Sequence, residues 1–197
     1  MTSAEAIAVL EPVSEWQNMR GHNLLKEFYE STDGGTAVAF QCMALMTRAR
    51  ATRRAMKEVL KLPLSQQPRV MLVERSLEGD MAFAKLMVKQ GRVSECWFAA
   101  YSETLDFYRD LGVGSDVHMV LDVEPKQCLE RIKKRARSEE VSVSLQYLEE
   151  LKTATLEALD GIRVLKIKDK SFHTDDREVS ELAKIILSCA VAVRSGL

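Results

Sequence analysis

A chain of 197 residues with 46% hydrophobic content can build one sizeable core but is short for two. Its 28 Lys and Arg balance 29 Asp and Glu, a formal net charge of −1, so no bulk positive field favours nucleic acid or an anionic membrane and any basic site must be local. No apolar run approaches the ~18 residues that span a bilayer. Met1-Thr2-Ser3-Ala4-Glu5 has neither the basic start nor the long apolar stretch of a signal peptide, so one soluble, cytoplasmic domain over residues 1–197 is expected. Cys42, Cys96, Cys128 and Cys189 share no CxxC spacing and sit in apolar or helical stretches, which predicts buried free thiols rather than a metal site or disulfide frame.

In chain order, short β-rich runs alternate with long helical patterns. Ala6 to Leu10 is the first predicted strand, ending at Glu11-Pro12. A helix over 36–61 follows, with Phe40, Met43, Ala44, Thr47, Ala51 and Met56 at three-to-four spacing, and Lys61-Leu62-Pro63 should end it. Val70 to Val73 is the second strand, Val117 to Val123 the third and Val164 to Ile167 the fourth. Helical patterns occupy 80–90, 93–110, 125–137, 144–159 and 175–192, and Gly34-Gly35 and Gly112-Val113-Gly114 read as turns. The alternation predicts an α/β fold, a parallel sheet with flanking helices.

Chemistry is expected at the strand ends. In open α/β sheets ligands bind beyond the carboxyl ends of the strands, and here the first run closes on Glu11 and the second on Glu74-Arg75-Ser76. Two carboxylates and a guanidinium in one crevice suit deprotonation of a hydroxyl and neutralisation of a transferred phosphoryl group. A structural Arg–Glu ion pair at the sheet rim is the plainer alternative. On the segment Cys128 to Arg137, Cys128, Leu129, Ile132 and Ala136 form an apolar stripe beside Arg131, Lys134 and Arg135. Clustered guanidiniums are good phosphate partners, although a solvated basic face explains many such runs.

The ordered set Glu11-Pro12-Val13-x-x-Trp16, Leu25-x-x-Phe28-Tyr29, Phe40-Gln41, Arg48-Ala49-Arg50, Glu74-Arg75-Ser76, Asp80 and Arg131-x-x-x-Arg135-x-Arg137-Ser138-Glu139-Glu140 resembles the deoxynucleoside kinases, most of all their deoxycytidine and deoxyguanosine branch. The resemblance implies a P-loop nucleoside-kinase-like fold that transfers the γ-phosphate of ATP, with Mg²⁺, to a deoxynucleoside 5′-hydroxyl. It makes Glu11 the general base, with Arg75 steadying that carboxylate and the incoming phosphate, and Glu74 a Mg²⁺ partner, through water. Tyr29 and Glu140 would bind the sugar 3′-hydroxyl, and Trp16, Leu25 and Phe28 would wall the pocket. Gln41 would meet the base edge, and Arg48 with Asp80 would set base preference. Arg131, Arg135 and Arg137 would form a lid over the ATP phosphates, and the loop around Phe172 would touch adenine. The apolar members could equally be ordinary core, and Gln41, Arg48 and Asp80 a structural cluster.

Two departures stand out. Phe83 falls one residue early for the family's aromatic wall of the base pocket. Family members also begin with a strand leading into Gly-x-x-x-x-Gly-Lys-Ser/Thr, whose amides and lysine cradle phosphates, and no such motif occurs in the 197 residues. Met1 is therefore expected to fall just beyond that loop, with the central first strand missing and its two neighbours left unpaired or forced to re-pair. Three readings follow: a kinase whose phosphate loop is not in this sequence, an inactive relative that binds a nucleoside or a partner protein, and a nucleic-acid-binding domain, which Glu139-Glu140 and the near-zero charge disfavour. A thymidylate kinase would carry Asp-Arg-aromatic in place of Glu74-Arg75-Ser76. The family resemblance further implies a homodimer, with helices 36–61 and 93–110 available for the interface.

Overall fold

The computed structural model describes residues 6–168; the predicted helix 175–192, Phe172 and Cys189 lie outside them. Strands β1 (Ala6–Val9), β2 (Val70–Val73), β3 (His118–Asp122) and β4 (Val164–Lys168) fall where the sequence places them. Helices α1 (Val13–Gln17), α2 (Leu24–Glu30), α3 (Gly34–Leu60), α4 (Leu77–Lys89), α5 (Glu95–Tyr108), α6 (Pro125–Arg135) and α7 (Leu145–Ala158) complete the described α/β architecture. β1 pairs parallel with β2, Ala6 opposite Val70 through Val9 opposite Val73. β3 pairs parallel with β4, His118 opposite Val164 through Asp122 opposite Lys168. The strands are parallel as expected, but among the described residues they form two separate pairs rather than one sheet. Among the described residues β2 and β3 do not pair with each other; a cavity of about 460 Å³ is lined by Val70 to Val73 on one side and His118 and Met119 on the other.

Helix starts follow capping chemistry more closely than hydrophobic periodicity. The side chains of Asn23, Asp33, Ser76, Ser94 and Ser144 each accept a backbone N–H in the first turn of α2, α3, α4, α5 and α7. Gly34-Gly35 is accordingly the first turn of α3 and not a free turn. Glycine is needed at 34 because a Cβ there would sit 2.3 Å from the Arg92 carbonyl oxygen. Helices α1 and α2 are new relative to the sequence reading. At five and seven residues they are too short to show a period, and they owe their position to burial of Trp16, Leu25 and Phe28.

Helix α3 is the spine of the molecule. Its residues Ala37, Phe40 and Ala44 join Trp16, Leu25, Phe28 and Met87 in one core cluster. Leu45 and Ala49 join Leu77, Ala84, Tyr101, Leu105 and Val113 in a second. The cysteine expectation fails in part: Cys42 and Cys96 are free thiols but exposed. The core-facing stripe of α3 is filled by its neighbours Gln41, Ala44, Leu45, Thr47 and Arg48, which leaves residue 42 on the solvent side.

After α6 the chain turns back through a short 3₁₀ segment, Ser138–Glu140, that is tied to the opposite end of the sequence. One oxygen of the buried Glu139 accepts from the Gln17 amide at 3.0 Å and from the Asn23 amide at 2.9 Å. Asn23 also caps α2 through its other side-chain atom, so this carboxylate fixes the start of α2 relative to the segment after α6.

Two stability tests follow from these joints. The Asn23 amide, helped by the Glu139 backbone N–H, the Gln17 amide and the Ser138 hydroxyl, holds the Glu139 carboxyl below its ordinary 4.5. A depressed carboxylate contributes fully above the ordinary range, and that contribution is lost as pH falls through the lower folded value. Glu139→Gln should therefore flatten the acid limb of stability as pH falls below the ordinary carboxylate range in urea unfolding; an unaltered limb would contradict this tie. Helix α6 ends on Ala136 at φ 55°, a left-handed position that favours glycine. Ala136→Gly should raise unfolding stability by about 0.5–1 kcal/mol, read from the denaturant midpoint, with a lowered midpoint counting against relief of strain.

Candidate active site

The carboxyl ends of β1 and β2 are cross-tied. The Glu74 N–H donates to the Val9 carbonyl at 2.8 Å, and the Glu11 N–H donates to Glu74 Oε2 at 3.0 Å. Pro12 stops β1 at once, and α1 begins at Val13. On the other side Arg75 takes a left-handed backbone, φ 63°, before Ser76 caps α4. That reversal turns the Arg75 guanidinium toward Glu11, where Nε meets Oε1 at 2.8 Å, and lays it on the Phe83 ring, 4.8 Å from the centroid.

The Glu11 carboxylate is also gripped from α3. Arg48 Nη2 and Nε lie 2.6 and 3.1 Å from Glu11 Oε1, and Arg48 Nη1 pairs with Asp80 Oδ1 in the first turn of α4. Side-chain exposure is 12% for Glu11, 9% for Arg48 and 1% for Asp80. Burial lowers the Arg48 pKa and the Glu11 carboxylate opposes that shift. A guanidinium still keeps its proton, so the cluster holds a buried cation between two acids. The Arg48 guanidinium also stands 4.7 Å over the Trp16 ring, whose indole N–H donates to Thr47 Oγ1 at 2.8 Å. Asp80 Oδ2 is buried with no hydrogen-bond partner.

Around this cluster opens a cavity of about 340 Å³. Trp16, Leu25, Phe28 and Phe40 form its apolar wall, with Phe28 stacked on Phe40 at 4.5 Å and Trp16 edge-on to Phe40 at 5.6 Å. Tyr29 lies edge-on to Phe28, and burial raises its hydroxyl pKa, so it is a neutral hydrogen-bonding group at pH 7. Gln41, 1% exposed, lines the cavity with its nitrogen 3.0 Å from the Asp80 carbonyl and 3.0 Å from the Tyr101 hydroxyl. Phe83 contributes to the lining despite its shifted register, while Ala84 is buried in the second core cluster.

Glu140, Arg135 and Arg137 close one side. Arg135 Nη2 meets Glu140 Oε2 at 2.6 Å and Arg137 Nη1 meets Glu140 Oε1 at 3.4 Å. The structure thus brings Glu11, Glu74, Arg75, Trp16, Leu25, Phe28, Tyr29, Gln41, Arg48, Asp80, Glu140, Arg135 and Arg137 to one cavity. Arg131 is on the exposed side of α6 and is not part of that lining. Tyr101 and Glu139 support the site; the sequence does not single out Tyr101, and it marks Glu139 only as a member of the Arg131 to Glu140 motif, without a role. Tyr101 lies on α5, sixty positions from the amide it bonds, and nothing in local spacing marks it. The larger cavity between β2 and β3 gathers no comparable set of acids and is not the site.

Among the described residues no group of three or more His, Cys, Asp and Glu side chains could hold a metal ion, and no helix is long and apolar enough to cross a membrane. Comparison with known proteins completes the picture. Residues 3–188 match the family described as deoxynucleoside kinase. The chain is 32% identical over 151 residues to mitochondrial thymidine kinase 2 of Homo sapiens, covering 75% of this chain and 53% of that protein. It is 29% identical over 160 residues to mitochondrial deoxyguanosine kinase of Xenopus laevis, 72% of this chain and 58% of that one. With deoxycytidine kinase 2 of Gallus gallus it shares 28% over 170 residues, 76% of this chain and 62% of the relative. The chain spans little more than half the length of these relatives. With a match over nearly its whole length, it belongs to the deoxynucleoside kinase family.

Proposed function

We propose that the chain carries the nucleoside-binding and proton-abstracting half of a kinase that transfers the ATP γ-phosphate to a deoxynucleoside 5′-hydroxyl in nucleotide salvage. The observation that carries this reading is the Glu11 carboxylate, held by Arg48 and Arg75 at the edge of a cavity walled by aromatic rings. A nucleoside lodged there meets apolar faces for its base, Tyr29 and Glu140 for its 3′-hydroxyl, and Glu11 for the 5′-hydroxyl proton. Arg75, with 43% of its side chain exposed, is free enough to follow the phosphate as charge develops, and Arg131, Arg135 and Arg137 supply the lid. The Arg135 and Arg137 pairs with Glu140 would exchange in part for phosphate contacts.

Mg²⁺ sites in phosphoryl transfer commonly use one or two carboxylates together with the substrate's phosphates and water. Glu74 fits that donor set, because only Oε2 is engaged by the Glu11 N–H. The ion would neutralise phosphate charge. The base-facing acids favour an amino-bearing base: buried Asp80 Oδ2 lacks a donor, and an exocyclic amine would supply one, whereas a keto oxygen there would face an anion. This is the support for a deoxycytidine- or deoxyguanosine-type substrate rather than thymidine. The exposed thiols Cys42 and Cys96 suit a reducing cytoplasm, and a homodimer built on α3 and α5, where Phe107 is 58% exposed, belongs to the same proposal.

A second reading is a relative that binds nucleosides or a partner protein without phosphorylating them. Assay of monophosphate formation with ATP and Mg²⁺ separates the two. If the kinase reading holds, Glu11→Gln lowers the rate by about 10²-fold or more, the scale of a lost general base, and an undiminished rate removes Glu11 from the chemistry. In a version that also carries an upstream strand and phosphate-binding loop, nucleoside binding without any monophosphate supports the second reading.

A further inference from the structure

We propose that His118 and Glu78 form a proton-operated latch that fastens the β3–β4 pair to the first turn of α4, closed while the imidazole carries a charge and open once it loses it. His118 is the first residue of β3, opposite Val164, and is buried at 6% exposure in a strand whose next three members are apolar. Its Nε2 lies 3.4 Å from Glu78 Oε2, an ion-pair distance, and that oxygen is buried with no hydrogen-bond partner. Such an oxygen lacks a donor, and a charged imidazole carries one on each ring nitrogen. Glu78 is held independently on its other oxygen, where Arg109 Nη2 and Nε lie 3.1 and 3.3 Å from Oε1. The carboxylate therefore keeps one cation whether or not His118 is charged, so opening the latch does not leave a bare buried acid.

The joint matters because, among the described residues, the β3–β4 pair is not strand-paired to β1–β2. At its carboxyl end β3 is tied to α7, where Lys152 Nζ lies 2.9 Å from Asp122, and the bond to that acid raises the ammonium pKa further. At its amino end the tie is His118, and imidazole is the side chain whose ordinary titration crosses neutral pH. One anchor is thus permanent and the other follows pH. The remaining charges around the ring offset one another. Asp106 is engaged by Arg109, and across the cavity that His118 borders, exposed Arg69 and Asp116 are of opposite sign while Arg75 is paired with Glu11. Glu78 and Asp80 share the first turn of α4, so the state of the latch bears on the turn that sets Asp80 against Arg48.

An imidazolium attracts Glu78 and a neutral ring does not, so the latch contributes stability on the acid side of the ordinary histidine range and loses it as pH rises through that range. The test is a double-mutant cycle on the 197-residue protein. Urea unfolding of the unsubstituted chain, His118→Phe, Glu78→Gln and the double variant is measured at about pH 5.5 and about pH 8.5, either side of that range. The cycle cancels the titration of His22 and His173, which all four proteins share, and the loss of Arg109's partner, which both Glu78→Gln proteins share. Coupling between the two positions should multiply the folding constant about five-fold at the lower pH and fall below about two-fold at the higher. Equal coupling at both pH values would make the pair an ordinary packing contact, and absence of coupling at the lower one would remove the pair altogether; either result overturns the latch. Should a variant not fold, hydrogen exchange of the unsubstituted protein decides, after correction for the intrinsic pH dependence of exchange. Protection of the β3–β4 amides must drop relative to that of the β1–β2 amides as pH rises, and a constant ratio refutes the proposal.

Discussion

A single guanidinium sets the geometry of this protein's cavity. Arg48 projects from the middle of the long helix α3 and binds two acids that belong to different elements, Glu11 beyond β1 and Asp80 in the first turn of α4. Each partner alone would be costly to bury; together they make the position of one depend on the other two. The helix dipole at the start of α4 adds a favourable field for Asp80, and the Trp16 ring covers the guanidinium face. The consequence is that Glu11 cannot swing toward solvent. It is presented at the cavity edge with Oε1 occupied by Arg48 and Arg75.

The rest of the fold positions that triangle. The parallel pairing of β1 with β2 brings Glu11 and Glu74 to the same end, and the proline after one strand and the left-handed Arg75 after the other turn both chains outward there. Helices α1 and α2 bring Trp16, Leu25, Phe28 and Tyr29 over the other side, and Glu139 bolts them to the segment that carries Glu140 and the arginines. The residues of the aromatic wall and the segment that carries Glu140 are thus joined through part-buried hydrogen bonds.

Much of this was legible beforehand because the informative residues sit at chemically marked places. Glu11 before Pro12 and Glu74-Arg75 after an apolar run of four announce strand ends, and all four strands appear within two residues of their predicted bounds. What was missed shares a physical cause. Helices α1 and α2 are too short to carry a period, and Gly34-Gly35 looks like a turn until the Arg92 carbonyl against it is seen. Tyr101 and Glu139 act through partners sixty and more than one hundred positions away, so only the folded chain reveals them. Cys42 was placed inside by its apolar neighbours, although those neighbours filled the core face themselves.

The most direct test of Arg48 as the organising group is equilibrium unfolding of Arg48→Met in denaturant at neutral pH. Removing the cation leaves Asp80 buried with no cation beside it and Glu11 held by the part-exposed Arg75 alone, and a loss of roughly 3 kcal/mol or more is expected. A variant within about 0.5 kcal/mol of the parent would show that the cluster is an incidental surface pair, and the account of the cavity built on it would fail.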